Sequence, residues 1–171
     1  GTIAAKANNG IFARRSTDAN FVNNGTIIAS KDDGIDLLDA KSPRVTNNGT
    51  ITAEGDNGIQ LHGVEGAIIT NTGTITATRN AIDAADSDDP VTDATFINTG
   101  TLRAEGNAIV IQDSSTLRNS GTIEATKAGE NAIYARGTDT VVILEPGSRI
   151  IGDVESTDAS NTLRLNLTSA G

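Results

Sequence analysis

Apolar and polar residues alternate along this chain in short runs, none of which reaches the length of a helix. In Gly49-Thr50-Ile51-Thr52-Ala53, Ile51 and Ala53 fall on one side of an extended backbone and Thr50 and Thr52 on the other, the two-residue period of a strand. Such runs recur at a fixed interval. The tripeptide Gly-Thr-Ile/Leu starts at Gly1, Gly25, Gly49, Gly73, Gly100 and Gly121, in steps of 24, 24, 24, 27 and 21 residues. A second series, each member preceded by Gly or Ala, places Ile11, Ile35, Ile59, Ile82, Ile109 and Ile133 at steps of 24, 24, 23, 27 and 24. The third is Phe21, Val45, Ile69, Phe96, Leu117 and Ile143, each standing two residues before an Asn or, at the last position, before Glu145.

Three short strands per period, separated by Gly, Asn, Asp, Thr and Ser, predict an all-β fold: a right-handed parallel β-helix of about seven coils of about 24 residues, three strands per coil. The hand follows from strand-crossover handedness. At ~4.8 Å per coil the rod is roughly 30 to 35 Å long. Ile3, Ile27, Ile51, Ile75, Leu102 and Ile123 are expected to stack as one inward ladder, and the Ile11 and Phe21 series as two more. A lone coil cannot bury its apolar face, so stability has to come from stacking. Residues 1–171 are read as a single domain, a fragment of a longer protein, because Gly1 opens in the middle of a repeat motif.

The corner between the third and first strands keeps a constant length through Ile123 and carries Asn23-Asn24-Gly25, Asn47-Asn48-Gly49, Asn71-Thr72-Gly73, Asn98-Thr99-Gly100 and Asn119-Ser120-Gly121. Asn and Gly tolerate the positive φ of a tight bend, and stacked Asn side chains can bond along the rod, so this column is read as structural. The other two corners vary. Ile82 to Phe96 spans fourteen residues where early coils use ten, and Ile123 to Ile133 spans ten where they use eight. Insertions in solenoids form loops that carry recognition, which makes Asp83, Asp86, Asp88, Asp89, Asp93, Lys127 and Glu130 the binding-loop candidates.

Composition narrows the functional classes. Aromatic residues make up only 2%, with no Trp or Met, so the core must be built from Ile, Leu, Val and Ala. A net charge of −9 with no basic run argues against nucleic acid and anionic membrane surfaces as partners. No apolar stretch approaches the ~20 residues of a membrane helix, and no direct membrane insertion is expected. The absence of Cys is compatible with the cytosol and also suits a chain that crosses an outer membrane unfolded.

Candidate chemistry is sparse. His62 is the only histidine, which leaves a histidine metal site or a Ser-His-Asp triad without support; it is read as a solvated corner residue. The acidic loop makes Asp86, Asp88 and Asp89 a weak Ca²⁺ candidate, although the spacing matches no calcium motif; no other cofactor is expected. Paired carboxylates can hydrolyse sugars, but Tyr134, expected to point outward, is a lone aromatic, so a polysaccharide-active enzyme ranks last and no catalytic residue is assigned. The outward column Thr26, Thr50, Thr74, Thr101 and Thr122 has as its companions Ile28, Thr52, Thr76, Arg103 and Glu124, so it reads as β-propensity first and a self-association surface second.

The Asn-x-Gly-Thr-Ile repeats followed by Asn-Ala-Ile or Asn-Gly-Ile resemble the passenger domains of autotransporters, the type V secreted proteins of Gram-negative bacteria. The tail Pro146-Gly147-Ser148-Arg149-Ile150-Ile151-Gly152-Asp153-Val154 followed by Asn161-Thr162-Leu163-Arg164-Leu165 is similar to the closing coils of such passengers. The resemblance implies an exported β-helix on the cell surface, followed in its precursor by a C-terminal β-barrel translocator. Adhesins, self-associating proteins, toxins and enzyme-bearing stalks occur in this family, and the motifs specify fold better than activity. The leading expectation is therefore a non-enzymatic structural or adhesive segment that meets host or bacterial surface molecules or its own copies. The runner-up is a spacer within a toxin or an enzyme-bearing passenger.

Overall fold

The computed structural model describes residues 1–85 and 88–166. The chain winds through seven coils, each contributing one strand to each of three seven-stranded sheets. The first sheet stacks Thr2–Ala5, Thr26–Ala29, Thr50–Ala53, Thr74–Ala77, Thr101–Ala104, Thr122–Ala125 and Arg149–Ile151. The second begins with Ile11–Arg14 and ends with Asp153–Ser156; the third runs from Asn20–Asn23 to Thr162–Leu165. Every pairing is parallel and joins equivalent positions of adjacent coils, as in Ile27↔Ile51, Ile51↔Ile75 and Ile75↔Leu102. Among the described residues no helix is long and apolar enough to cross a membrane.

The two-residue period decides what goes inside. Ile51 and Ala53 are buried while Thr50 and Thr52 are half-exposed, and the same alternation repeats at Ile75 and Ile123. Each fully buried Ile contributes about 1.5 to 3 kcal/mol of hydrophobic stabilisation, which makes three apolar ladders the main source of stability. The first ladder runs as expected from Ile3 through Ile123 and continues to Ile150. In the third, the partner of Leu117 is Val142 and not Ile143, which lies opposite Arg118 on the other face of the strand. Leu144, not Glu145, stands at the Asn position of this coil, opposite Asn119, so counting back from Glu145 misplaces the ladder by one residue, and a slip of one reverses the face.

The Asn-Gly corner also departs from the expected positive φ. Gly25, Gly49, Gly73, Gly100 and Gly121 do not have positive φ; among the described residues the left-handed non-glycine positions lie at the turns around Asp18, Ser42, Asp93, Ser114 and Asp139, beyond the second sheet. What demands glycine is close stacking, since a Cβ built on Gly49 falls 2.0 Å from the Gly25 carbonyl oxygen and one on Gly73 falls 2.0 Å from that of Gly49. The stacked amides themselves are present. Asn23 Nδ2 donates to Asn47 Oδ1 at 2.7 Å, Asn47 to Asn71 at 2.8 Å, Asn71 to Asn98 at 2.8 Å and Asn98 to Asn119 at 2.7 Å. Each amide also reaches a main-chain carbonyl in the next coil, such as Thr101 O from Asn71 at 3.1 Å. Asn47, Asn71, Asn98 and Asn119 are buried, so within the first five coils each satisfies polar groups that its neighbour could not otherwise pair, before Leu144 and Leu165 end the column.

A second polar column lies just before the Ile11 series. The N–H of Asn57 donates to Asp33 Oδ1 at 2.9 Å, that of Asn80 to Asn57 Oδ1 at 3.1 Å and that of Asn131 to Asn107 Oδ1 at 2.9 Å. The Asn side chain at this position also reaches the residue three places on: Asn57 Nδ2 donates to Gln60 Oε1 at 2.6 Å and Asn80 Nδ2 to Asp83 Oδ2 at 2.9 Å. Asp33 has no side-chain N–H to give, and Asp36 Oδ1 is buried without a hydrogen-bond partner. Burial raises the Asp33 carboxyl to about 6, against the Asn57 N–H, which favours its charge; the nearby Asp56 and Asp36 push it further up.

Two predictions follow from these columns. Asn71→Ala removes one acceptor of Asn47 Nδ2 and the donor to Asn98 Oδ1 and Thr101 O, and should lower guanidinium unfolding stability by about 2 to 4 kcal/mol. Asn48→Ala, at the exposed neighbouring position, should stay within about 0.5 kcal/mol of the parent; equal losses would show that the inner column is not special. For Asp33 the folded chain holds its proton more tightly than the unfolded chain, so this group favours folding more as pH falls from about 6 towards 3.8 and disfavours it above. Asp33→Asn should therefore stabilise the protein near neutral pH by on the order of 1 to 2 kcal/mol, with the advantage fading as the carboxyl protonates. Unfolding midpoints at neutral and acidic pH test this, and a gain that does not change with pH would contradict it.

Candidate functional site

The second sheet carries an outward column that runs Asp36, Gln60, Asp83, Val110 and Tyr134 from coil to coil. Gln60, Asp83 and Val110 are buried although they face away from the core. The corner loops between the first and second sheets stand over this face, and their Asn57 and Asn80 side chains bond down onto it. The result is a concave flank, open along the rod, with a cavity of about 480 Å³. Arg79, Glu105, Lys127 and Glu130 come to it from the corner loops; Asp83, Val110, Tyr134 and Arg136 come from the second sheet and its end.

Three of the binding-loop candidates are thereby brought together. Asp83, Lys127 and Glu130 line one cavity although they stand two coils apart. Asp83 is not a loop residue: it belongs to the short strand Ile82–Asp83 and is buried. Its carboxyl is raised by burial, against hydrogen bonds from the Asn80 side chain and the Ala85 N–H and the fields of Arg79 and His62. Asp88 and Asp89 are exposed, with the Asp89 carbonyl accepting the Gly63 N–H at 2.8 Å. Asp93 is exposed at a left-handed corner, and its N–H donates to Asp113 O at 3.2 Å. Asp86 lies outside the described residues.

The ionic state of the cavity is uneven. Arg79 pairs with Asp56 at 3.4 Å. Lys127, Arg136, Glu105 and Glu130 make no ion pair among the described residues, so both signs of charge are available to a ligand. Asn107 uses its Oδ1 on the Asn131 N–H, and Tyr134 is half-buried with its outward side chain against the cavity. The arrangement offers cationic, anionic and neutral hydrogen-bonding groups within one space, beside a single aromatic ring.

Two further features bear on chemistry. Carboxylate oxygens of Asp32, Asp33 and Asp56 lie within 4.8 Å of one another, where Arg79 and the Asn57 N–H already meet two of them. His62, expected as a solvated corner residue, instead ends the strand Ile59–His62, half-buried, and its field lowers the Asp36 and Asp83 carboxyls that burial raises. Sequence reasoning missed Arg79, Glu105 and Arg136, and treated Tyr134 as isolated. The Asn-Ala-Ile and Asn-Gly-Ile motifs were the available signal, since their Asn residues mark the corner stack that walls the cavity.

Comparison with known proteins bears on the fold. No curated protein and no solved structure matches the chain. A family model described as the right handed beta helix region matches residues 2–148. That span takes in six consecutive coils of the solenoid and every residue named above as lining the cavity, so the chain belongs to the right-handed β-helix family.

Proposed function

We propose that this chain is a non-enzymatic structural and adhesive segment of an autotransporter passenger, displayed outside a Gram-negative cell, whose flank binds host or bacterial surface molecules or other copies of itself. The observation that carries the reading is the division of labour along the chain. Core ladders and the Asn-Gly corner hold one register through coil after coil, while Asp83 and Ala85, at the start of the first variable segment, and Lys127 and Glu130, of the second, line a single polar cavity. A stacked rod with a rigid interior projects a binding face away from its anchor, and loops that vary on such a scaffold are where recognition is carried. The absence of Cys is consistent with passage through an outer membrane as an unfolded chain. A C-terminal β-barrel translocator in the precursor belongs to the same proposal.

The runner-up, a passive stalk, draws on the uninterrupted core, which would serve equally well as a spacer. The two readings separate when the insertions are removed. Excising residues 86–89 restores the ten-residue spacing of early coils, and excising Lys127 and Ala128 restores the eight-residue spacing. With the full precursor displayed on cells, the double excision should cut adherence or cell aggregation at least fivefold while leaving the thermal midpoint of the purified passenger within a few degrees. Adherence that survives both excisions would assign the segment to the stalk.

A further inference from the structure

We infer that Asp33 and Asp36 share one proton and act as an acid-closed latch, in which a hydrogen bond from Asp33 Oδ2 to Asp36 Oδ1 ties the second coil's corner loop onto the second sheet. The next two coils supply the pattern. Asp33, Asn57 and Asn80 stand one above another, since the Gly10 N–H donates to Asp33 O, that of Gly34 to Asn57 O and that of Gly58 to Asn80 O. Asp36, Gln60 and Asp83 are likewise in register. In the third and fourth coils the Asn amide bridges the two columns, to Gln60 Oε1 at 2.6 Å and to Asp83 Oδ2 at 2.9 Å. In the second coil Asp36 Oδ1 is buried and lacks a partner. Asp33 is isosteric with the Asn it replaces: its Oδ1 accepts the Asn57 N–H at 2.9 Å, as Asn57 Oδ1 accepts that of Asn80 at 3.1 Å. That leaves Asp33 Oδ2 where the donating amide nitrogen stands in the other coils. A proton taken from water onto this oxygen supplies the missing donor.

The surroundings favour that proton. Asn9 of the first coil grips both residues, its Oδ1 accepting the Asp33 N–H at 3.1 Å and its Nδ2 donating to Asp36 Oδ2 at 2.9 Å. The strand neighbours of Asp36, Phe12 and Gln60, are uncharged, and Gln60 Nε2 donates to Leu61 O. Carboxylate oxygens of Asp32 and Asp56 lie within 4.8 Å of one on Asp33. The cations facing this cluster are Arg79, held by Asp56 at 3.4 Å, and His62, whose field falls on Asp36. Burial raises the carboxyls of both Asp33 and Asp36. Crowded carboxylates that cannot all ionise bind a proton between them, and an O–H donating to a carboxylate makes one of the stronger hydrogen bonds. At neutral pH two like charges therefore push the corner off the sheet, and in mild acid the same two groups pull it down. The folded chain holds this proton more tightly than the unfolded one. The latch thus favours folding in full below the unfolded value of 3.8 and is lost as pH rises through about 6. It concerns the first coils of the flank and stands apart from the adhesive reading.

Carboxyl-carbon NMR of the full 171-residue chain, followed from neutral to strongly acid pH, tests the latch without any substitution. The Asp33 and Asp36 signals should move together through one proton uptake near pH 6, with a second step well below it. Separate midpoints, with the Asp36 signal indifferent to the Asp33 step, would overturn the inference. Asp36→Asn removes the charged acceptor and keeps the burial, and should lower the Asp33 midpoint by about one unit or more. An unchanged midpoint would mean that burial alone holds the proton, and the latch would be refuted. Closure itself is read from hydrogen exchange at the Gly10 and Gly34 N–H groups, which bond across this corner. Their protection, corrected for intrinsic exchange, should rise about tenfold from neutral pH to about pH 5, the size of one hydrogen bond to a charged group. Asp33→Asn carries a permanent donor and should show the high protection at both pH values. A rise that persists undiminished in Asp33→Asn would place the pH response elsewhere and sink the proposal.

Discussion

The hydrogen bond from one coil's asparagine to the next coil's asparagine is the constraint on which the rest of this structure depends. A buried amide has two donors and an acceptor to satisfy, and a coil on its own has nothing to offer them. Placed above an identical coil in register, Asn71 accepts from Asn47 and donates to Asn98 and to Thr101 O. A displaced coil would leave these groups buried and unpaired, at a cost comparable to the burial of a large apolar side chain. The apolar ladders contribute more energy in total, but Ile packs on Leu or Val with little discrimination, as Ile75↔Leu102 and Ile69↔Phe96 illustrate. The amides thus set register while the ladders supply the drive.

Register held in this way leaves other corners free to differ. The coils accept insertions after Ile82 and after Ile123 without losing the pairings on either side, because Ile82↔Ile109 and Ile109↔Ile133 are kept. The extra residues then collect on the outside. Along the same flank the second polar column holds the corner loops over the second sheet, which produces a concavity from elements that would otherwise be flat. The one interruption of that column, Asp33, is also where carboxylates crowd, since Asp32 and Asp56 are close by and Asp36 has an unpaired oxygen. A column of neutral amides tolerates stacking at this spacing; a charge placed in it is forced upward in pKa by burial.

Very little of the fold was hidden in the sequence. The three apolar series, the alternation within each strand and the constancy of the Asn-Gly corner are one-dimensional facts with a direct three-dimensional meaning, because in a solenoid sequence period is physical height. That same reasoning failed where the period broke. Ile143 took the place of Val142 in the third ladder because this coil has Leu144 where the others have Asn, and glycine was credited to backbone conformation at positions where Gly49 and Gly73 are needed to clear a carbonyl 2.0 Å from a would-be Cβ. Both errors concern contacts between coils, which spacing alone does not describe.

The chain's period, its inward residues and the number of its coils were determined by the order of amino acids, since each strand sees only its own copies above and below. The cavity was decided by tertiary structure. Arg79, Glu105 and Lys127 follow the first-sheet strands of three successive coils at one corner, about one repeat apart, whereas Tyr134 stands on the second sheet, and the period does not say that this corner leans over that sheet. They meet because amide side chains of the corner loops fold across the second sheet and close a flank of the rod into a groove. Periodicity records what lies one coil apart; it carries no information about which corners of the cross-section face each other.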